Sequence, residues 1–212
     1  MTIALPRLDR STAADRGLTI ADFLVPVTLA ERTPTRVRHI VLIVLGAAFV
    51  SLSAQIVIPT TPVPFTGQTL GVLLVGGALG FRRGAAALLL YLAIGAIGLP
   101  VYADGGAGVD VILGVTGGYL TGFVVAAAVV GRLAELGWDR RLGGALAMML
   151  IGTAIIYAIG VPWLKVYTAM PWADAVNGGM TKFLVWDAAK FLVAAALFPT
   201  AWWLIGRRPD DR

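Results

Sequence analysis

From Ile40 to Phe81, and again over Gly84–Ala103, Val111–Gly131 and Leu142–Leu164, the chain carries no charged residue. About 20 apolar residues in helical form cross a bilayer, because a helix satisfies its own backbone N–H and C=O groups where water is absent. The first run is too long for one crossing and has Pro59, Pro62 and Pro64 in its middle, so it divides into two helices. A further apolar stretch follows Lys182, broken only by Asp187 and Lys190. The expectation is an all-α integral membrane protein with six transmembrane helices over residues 37–206. Composition agrees, since 58% of residues are hydrophobic and 14% charged, against about 25% charged in ordinary soluble domains. Cysteine is absent, which removes disulfides and thiolate metal sites, and no metal site is expected.

Charge placement orients the chain. Arg32, Arg36 and Arg38 precede the first span, Arg82 and Arg83 follow the second, Arg132, Arg140 and Arg141 follow the fourth, and Arg207 and Arg208 follow the sixth. The opposite side keeps Lys165 and Lys182. Basic residues concentrate on the cytoplasmic side of membrane proteins, so both termini are expected there, in a multi-pass protein of a bacterial-type inner membrane. The net charge of +5 thus serves orientation, and nucleic-acid binding is set aside. Residues 1–36 form a tail, interfacial or disordered, and 207–212 a second, short one; Asp22 and Pro26 interrupt the tail's apolar part, which is too short to span.

The least generic stretch is the first outer loop, Ile58-Pro59-Thr60-Thr61-Pro62-Val63-Pro64-Phe65-Thr66-Gly67-Gln68-Thr69. Three prolines fix their own φ and push the preceding residues toward extended conformations, which makes a stiff, non-helical cover. Phe65, Thr66 and Gln68 then offer an aromatic face and hydrogen-bonding groups. The second outer loop, with Asp104 and Asp110, leads into Thr116-Gly117-Gly118-Tyr119 at the start of helix four. N–H groups there are either an anion site or part of a glycine packing device, and Tyr119 is either an interfacial belt residue or a ligand contact. On helix one, Ala47, Ser51 and Ala54 form a small-residue stripe for close helix approach, within the chain or to a separate subunit. Helix five, Leu142–Leu164, shows no chemistry, and Trp163, Trp172 and Asp174 make an interfacial rim.

Helix six carries the most informative pair. Asp187 and Lys190, three residues apart, share one helical face. A charge near mid-bilayer costs about 2.5–3.5 kcal/mol, so the two must face protein or a wet cavity. They are either a self-neutralising pin for helix packing or the polar floor of a solute pocket. Lys182 sits at the mouth of the same helix, where it can snorkel, and Pro199 is expected to bend it farther in.

Ile58-Pro59-x-x-Pro62-Val63-Pro64-Phe65-Thr66-x-Gln68-Thr69-Leu70-Gly71, Gly98-x-Pro100-Val101, Thr116-Gly117-Gly118-Tyr119 and Asp187-x-x-Lys190, in that order on six spans, resemble the BioY family. These are biotin-capture S components of energy-coupling-factor (ECF) transporters, and the match covers about Val37–Gly206. The resemblance implies the ECF S-component fold, high-affinity capture of biotin from the outer face, and contact of Asp187 and Lys190 with the ureido ring. The chemistry agrees, because a carboxylate accepts from ureido N–H groups and an ammonium donates to its carbonyl. With biotin as the ligand and no cofactor, Tyr91, Tyr102 and Phe65 are candidates to pack the thiophane ring and chain, and Gln68, Thr66, Tyr119 or the N–H groups near Gly117 to receive the carboxylate. Implied partners are a transmembrane coupling protein and ATPase subunits, since the chain has no Walker A pattern of its own. Helix one shows Ala47-x-x-x-Ser51 where the family pattern has alanine at both ends, and serine is small enough for the same contact with the coupling protein. A solitary carrier, another small vitamin as ligand, and a homo-oligomer remain open alternatives. An intramembrane enzyme is not expected, as His39, the lone histidine, lies among arginines at the inner edge. A channel would spread charges along a path, whereas Asp187 and Lys190 sit at one level.

Overall fold

A computed structural model describes residues 17–24 and 34–205, and it is almost entirely helical. Among these residues the elements are α1 (Ala21–Leu24), α2 (Thr35–Ala54), β1 (Val57–Ile58), β2 (Phe65–Thr66), α3 (Gln68–Leu79), α4 (Phe81–Ala96), α5 (Val109–Leu113), α6 (Gly117–Glu135), α7 (Leu142–Thr168), α8 (Trp172–Gly179) and α9 (Leu184–Ile205). The six expected spans are α2, α3, α4, α6, α7 and α9. Four segments are long and apolar enough to cross a bilayer unaided: α2, α6, α7 and the α8–α9 stretch. At 12 and 16 residues, α3 and α4 are shorter.

The core gathers around α6, which packs against α7, α3 and α4; α2 lies on α3 and α4, and α9 on α7. Glycine sets the closeness of the central contact, because a Cβ on Gly76 of α3 would stand 2.7 Å from the carbonyl oxygen of Ala127 on α6. Gly80 has φ of 83° between α3 and α4, a left-handed turn that a side chain would strain, so the two helices meet with one residue between them. The outward faces of α2 and α9 stay apolar: Ile40, Val44, Leu52, Val185, Leu192 and Leu197 are all exposed. In water such a surface would drive association; in a bilayer it is the solvated face.

Element ends depart from expectation in instructive ways. The first span stops at Ala54 instead of reaching Ile58, and Val57–Ile58 pairs antiparallel with Phe65–Thr66. The proline loop is therefore the tip of a two-residue ladder, with a cis Thr61–Pro62 bond, which ties the cover to both helices it joins. Gln55 holds the break, donating to Tyr102 O (3.2 Å) and accepting from Gly105 N–H (3.2 Å). The third loop contains α8, and α7 runs on to Thr168 through Pro162.

Residues 17–24 fold back onto the arginine-rich end. Thr19 and Ala21 are fully buried there. Asp22 receives two bonds from Arg83, at 2.7 and 2.9 Å, and caps the Thr19 N–H at 3.0 Å. Burial works against ionisation of Asp22, but the Arg83 and Thr19 bonds prevail and leave its carboxyl below the usual range. Beside it, Asp139 accepts from Trp202 Nε1 at 2.6 Å, and the Arg140 guanidinium lies 4.4 Å from the Trp202 ring centre. The remaining residues of the 1–36 and 207–212 tails lie outside the described residues, apart from Pro34, Thr35 and Arg36 at the start of α2.

Candidate functional site

At the opposite end a cavity of about 580 Å3, counting its open mouth, lies beneath the proline loop and between α3, α6, α7 and α9. Its polar floor comes from the first turns of α9. Asp187 is 1% exposed, and Lys190 stands one turn further in with its ammonium 3.1 Å from Asp187 Oδ1. That ammonium also donates to Thr69 Oγ1 at 2.6 Å and to the Thr66 carbonyl at 3.0 Å, and it sits 4.0 Å from the Phe65 ring centre. All three of its protons are engaged, and the partners come from the end of the proline loop and the start of α3. The other carboxylate oxygen of Asp187 accepts from the Tyr157 hydroxyl of α7. The charged pair is thus closed by protein on three sides and borders the cavity on the fourth.

Of the residues singled out in the sequence, Phe65, Thr66, Gln68, Tyr102, Tyr119, Asp187 and Lys190 line this one cavity. Phe65 also stacks at a tilt against Phe183 and Trp186, with centroids 5.9 and 6.0 Å apart. Tyr91 stands behind the wall. Fully buried, it receives the Gln68 amide at 2.6 Å and meets Tyr102 edge-on at 5.4 Å. Gly117 is also off the wall, since its N–H is donated to Gly114 O and a Cβ there would run into Ile112 O. The packing alternative therefore describes Gly117. Most hydroxyls on the wall already have partners: Thr66 donates to Gln68 Oε1 (3.0 Å), Tyr102 to Leu92 O (2.6 Å) and Tyr119 to Gly179 O (2.9 Å). Thr116, half-buried on the wall, has no side-chain partner among the described residues.

Two residues of the floor escaped the sequence. Tyr157 lies in the span expected to show no chemistry, and its hydroxyl on Asp187 at the cavity floor corrects that expectation. Its signal was a lone hydroxyl-bearing ring in an otherwise greasy helix, which only the position of α9 makes meaningful. Thr69 sits inside the proline-loop motif but looked like a helix start. On helix one, Ala47 is 2% exposed and packs within this chain, and Ser51 turns its hydroxyl back to Ala47 O at 2.9 Å. Of the two uses for the small-residue stripe, the intramolecular one accounts for Ala47.

The model of the BioY family matches residues 26–207. This chain belongs to the BioY family. Among its BioY relatives, the biotin transporter BioY of Thermotoga maritima is 40% identical over 150 residues, covering 71% of this chain and 87% of that one. The biotin transporter BioY of Rhizobium etli is 36% identical over 170 residues, covering 76% and 90%. The fold is also similar to the crystal structure of the S-component for biotin from an ECF-type ABC transporter, with a TM-score of 0.70, 25% identity and coverage of 78% of this chain and 90% of that one. The fold is therefore that of an ECF S component, and the chain is a multi-pass membrane protein of a transporter family.

Proposed function

We propose that this chain captures biotin at the membrane and delivers it to an uptake system, with the ureido ring seated on Asp187 and Lys190. The observation that carries this is an ion pair held on three sides by protein and opening on the fourth into a cavity under a stiff loop, in a chain whose relatives are named biotin transporters. A structural pin gains nothing from an adjoining void. A ring with N–H donors on its flanks and a carbonyl at its apex uses both charges at once.

Because every proton of Lys190 is engaged, the ureido carbonyl enters by displacing one acceptor. Thr69 is the one that yields at least cost, since a hydroxyl can rotate and donate where it had accepted. Phe65 and Tyr102 supply apolar walls for the bicyclic ring and chain, with Tyr91 setting the Tyr102 ring from behind. The carboxylate falls to Thr116, because Thr66, Gln68 and Tyr119 are already engaged. No cofactor or metal has a part in this, and no chemical reaction is assigned to the chain.

The arginine-rich end is cytoplasmic by charge bias, which puts both termini inside and the cavity at the outer face of a bacterial-type inner membrane. A coupling protein and ATPase subunits of an ECF module would supply the energy. Burial of Ala47 favours examining a second mode, a solitary carrier. Biotin uptake in cells lacking the coupling and ATPase subunits separates the two: uptake that persists there rules out an obligatory module. The binding assignment is tested by calorimetric titration of the purified protein with biotin, thiamine and riboflavin. Saturable binding of biotin alone is expected, and preference for either other vitamin would overturn it.

A further inference from the structure

The arginine-rich end holds a second recess, about 1380 Å3 counting its wide opening, framed by α1, α2, the α3–α4 turn and the last turn of α6. Its charges divide into two sets. Arg83 is fully engaged, with two bonds to Asp22, one to Thr19 Oγ1 at 3.0 Å and one from Nε to Leu79 O at 2.8 Å. Glu135 is shared between the Phe81 N–H at 2.9 Å and Arg132 at 3.0 Å. On the rim, Arg82 is exposed and has no side-chain partner among the described residues, Arg132 keeps donors beyond its one bond to Glu135, and His39 of α2 lines the same recess half-buried. The carboxylates are thus committed to the floor, and the recess presents cationic donors at its mouth.

Its remaining walls are apolar. Ile43, Leu79 and Phe81 line it, and Phe81 is 45% exposed. Ile40, just above on α2, is 60% exposed on the face that meets lipid. Guanidinium groups therefore sit where a span ends, with an apolar wall running from them toward the hydrocarbon. A soluble anion would use only the first feature, and an acidic protein surface would leave the second uncovered. A lipid with a charged phosphate uses both, and basic recesses at the ends of membrane helices suit such headgroups. We propose that this recess binds an anionic phospholipid, its phosphodiester between Arg82 and Arg132 and an acyl chain along Ile43 and Phe81. The inner wall comes from residues 17–24, which precede the 26–207 match to the family. The site is independent of whichever solute the cavity at the other end takes.

The test is thermal unfolding of the full chain in a zwitterionic detergent, with phosphatidylglycerol, phosphatidylcholine or inorganic phosphate added. Phosphatidylglycerol is expected to raise the midpoint by several degrees in the parent and in Arg141→Gln, an exposed arginine outside the recess, and to have no effect on Arg82→Gln/Arg132→Gln. Equal shifts with phosphatidylcholine, or retention of the full shift in the double variant, would overturn the proposal. A shift reproduced in full by inorganic phosphate would overturn it too, as the recess would then take a free anion. Should the double variant not fold, native mass spectrometry of the parent decides: phosphatidylglycerol retained over an equimolar amount of phosphatidylcholine is expected, and no preference refutes it.

Discussion

Asp187 and Lys190 at one end of the bundle, and Asp22 with Arg83 at the other, are the same chemistry in different surroundings. Both are carboxylates bonded to a cation and shielded from water. Around Asp22 the neighbours are residues 17–24 and the helices, which use up the acceptor and donor capacity and leave the pair in the floor of the wide, arginine-rimmed recess. Around Asp187 and Lys190 the partners come from three helices and a loop, and the side they leave open borders the cavity under the proline loop. An ion pair is weak support for a fold, because desolvation cancels much of its attraction. What distinguishes the Asp187 pair is a cavity roofed by the proline loop and walled largely by apolar side chains, where the Asp22 pair faces a wide recess rimmed by arginines.

That contrast predicts opposite responses to the same substitution. At the cavity end, Asp187→Asn leaves the Lys190 ammonium without its carboxylate and removes the acceptor for the ureido N–H groups. Biotin affinity is expected to fall by about 3–5 kcal/mol, beyond 100-fold, in protein that still elutes as a folded species. Lys190→Ala should act in the same direction. Calorimetry showing unchanged affinity in either variant would erase the distinction between the two ends.

A second difference lies in pH. Burial pushes the Asp139 carboxyl up to about 6, against the Trp202 hydrogen bond and the nearby Arg140 charge. A carboxyl whose folded pKa exceeds its unfolded value near 3.8 binds protons more tightly when folded. Its contribution to stability is therefore complete below about pH 4 and is lost as pH rises through about 6. Asp139→Asn, which keeps an oxygen for Trp202, is expected to flatten that decline and to raise stability at pH 7.5 by roughly 2 kcal/mol. Thermal unfolding from pH 4.5 to 7.5 measures it, and a parallel decline in the variant would refute the assignment. Asp22→Asn should do the reverse, costing about 1–2 kcal/mol of stability at neutral pH while leaving biotin affinity within twofold. A large change in affinity there would mean that the two ends are coupled.

The two ends also differed in how readily they could be read from sequence. Uncharged runs placed six helices, because a bilayer tolerates few alternatives to a helix of the right length. Asp187 and Lys190 stood out because a charge in an apolar span demands an explanation. The proline loop stood out because its composition forbids a helix. Tyr157 did not, since tyrosine at a span position is ordinary and its role exists only once α7 and α9 are packed. Residues 17–24 were equally silent. Thr19, Asp22 and Phe23 read as tail, and nothing local told that Arg83, 61 residues after Asp22, would bond Asp22 and Thr19 or that Phe23 would meet the Trp202 ring. Long-range pairing between short polar groups leaves no periodic trace, whereas burial of a whole face does.

Tyr157 offers the finest test of what that cavity is for. Its hydroxyl donates to the Asp187 oxygen that Lys190 does not bond, so it fixes the rotation of the carboxylate from a position that also lines the cavity. Tyr157→Phe keeps the ring and removes that bond. Solute N–H groups can recover part of the lost interaction, so the expected loss of biotin affinity is about 1 kcal/mol, roughly fivefold. A role confined to packing would instead lower the unfolding midpoint and leave affinity alone. The double variant with Asp187→Asn separates orientation from direct contact. If Tyr157 acts through Asp187, its removal costs nothing further once the carboxylate is gone. If it touches the solute itself, the two losses add.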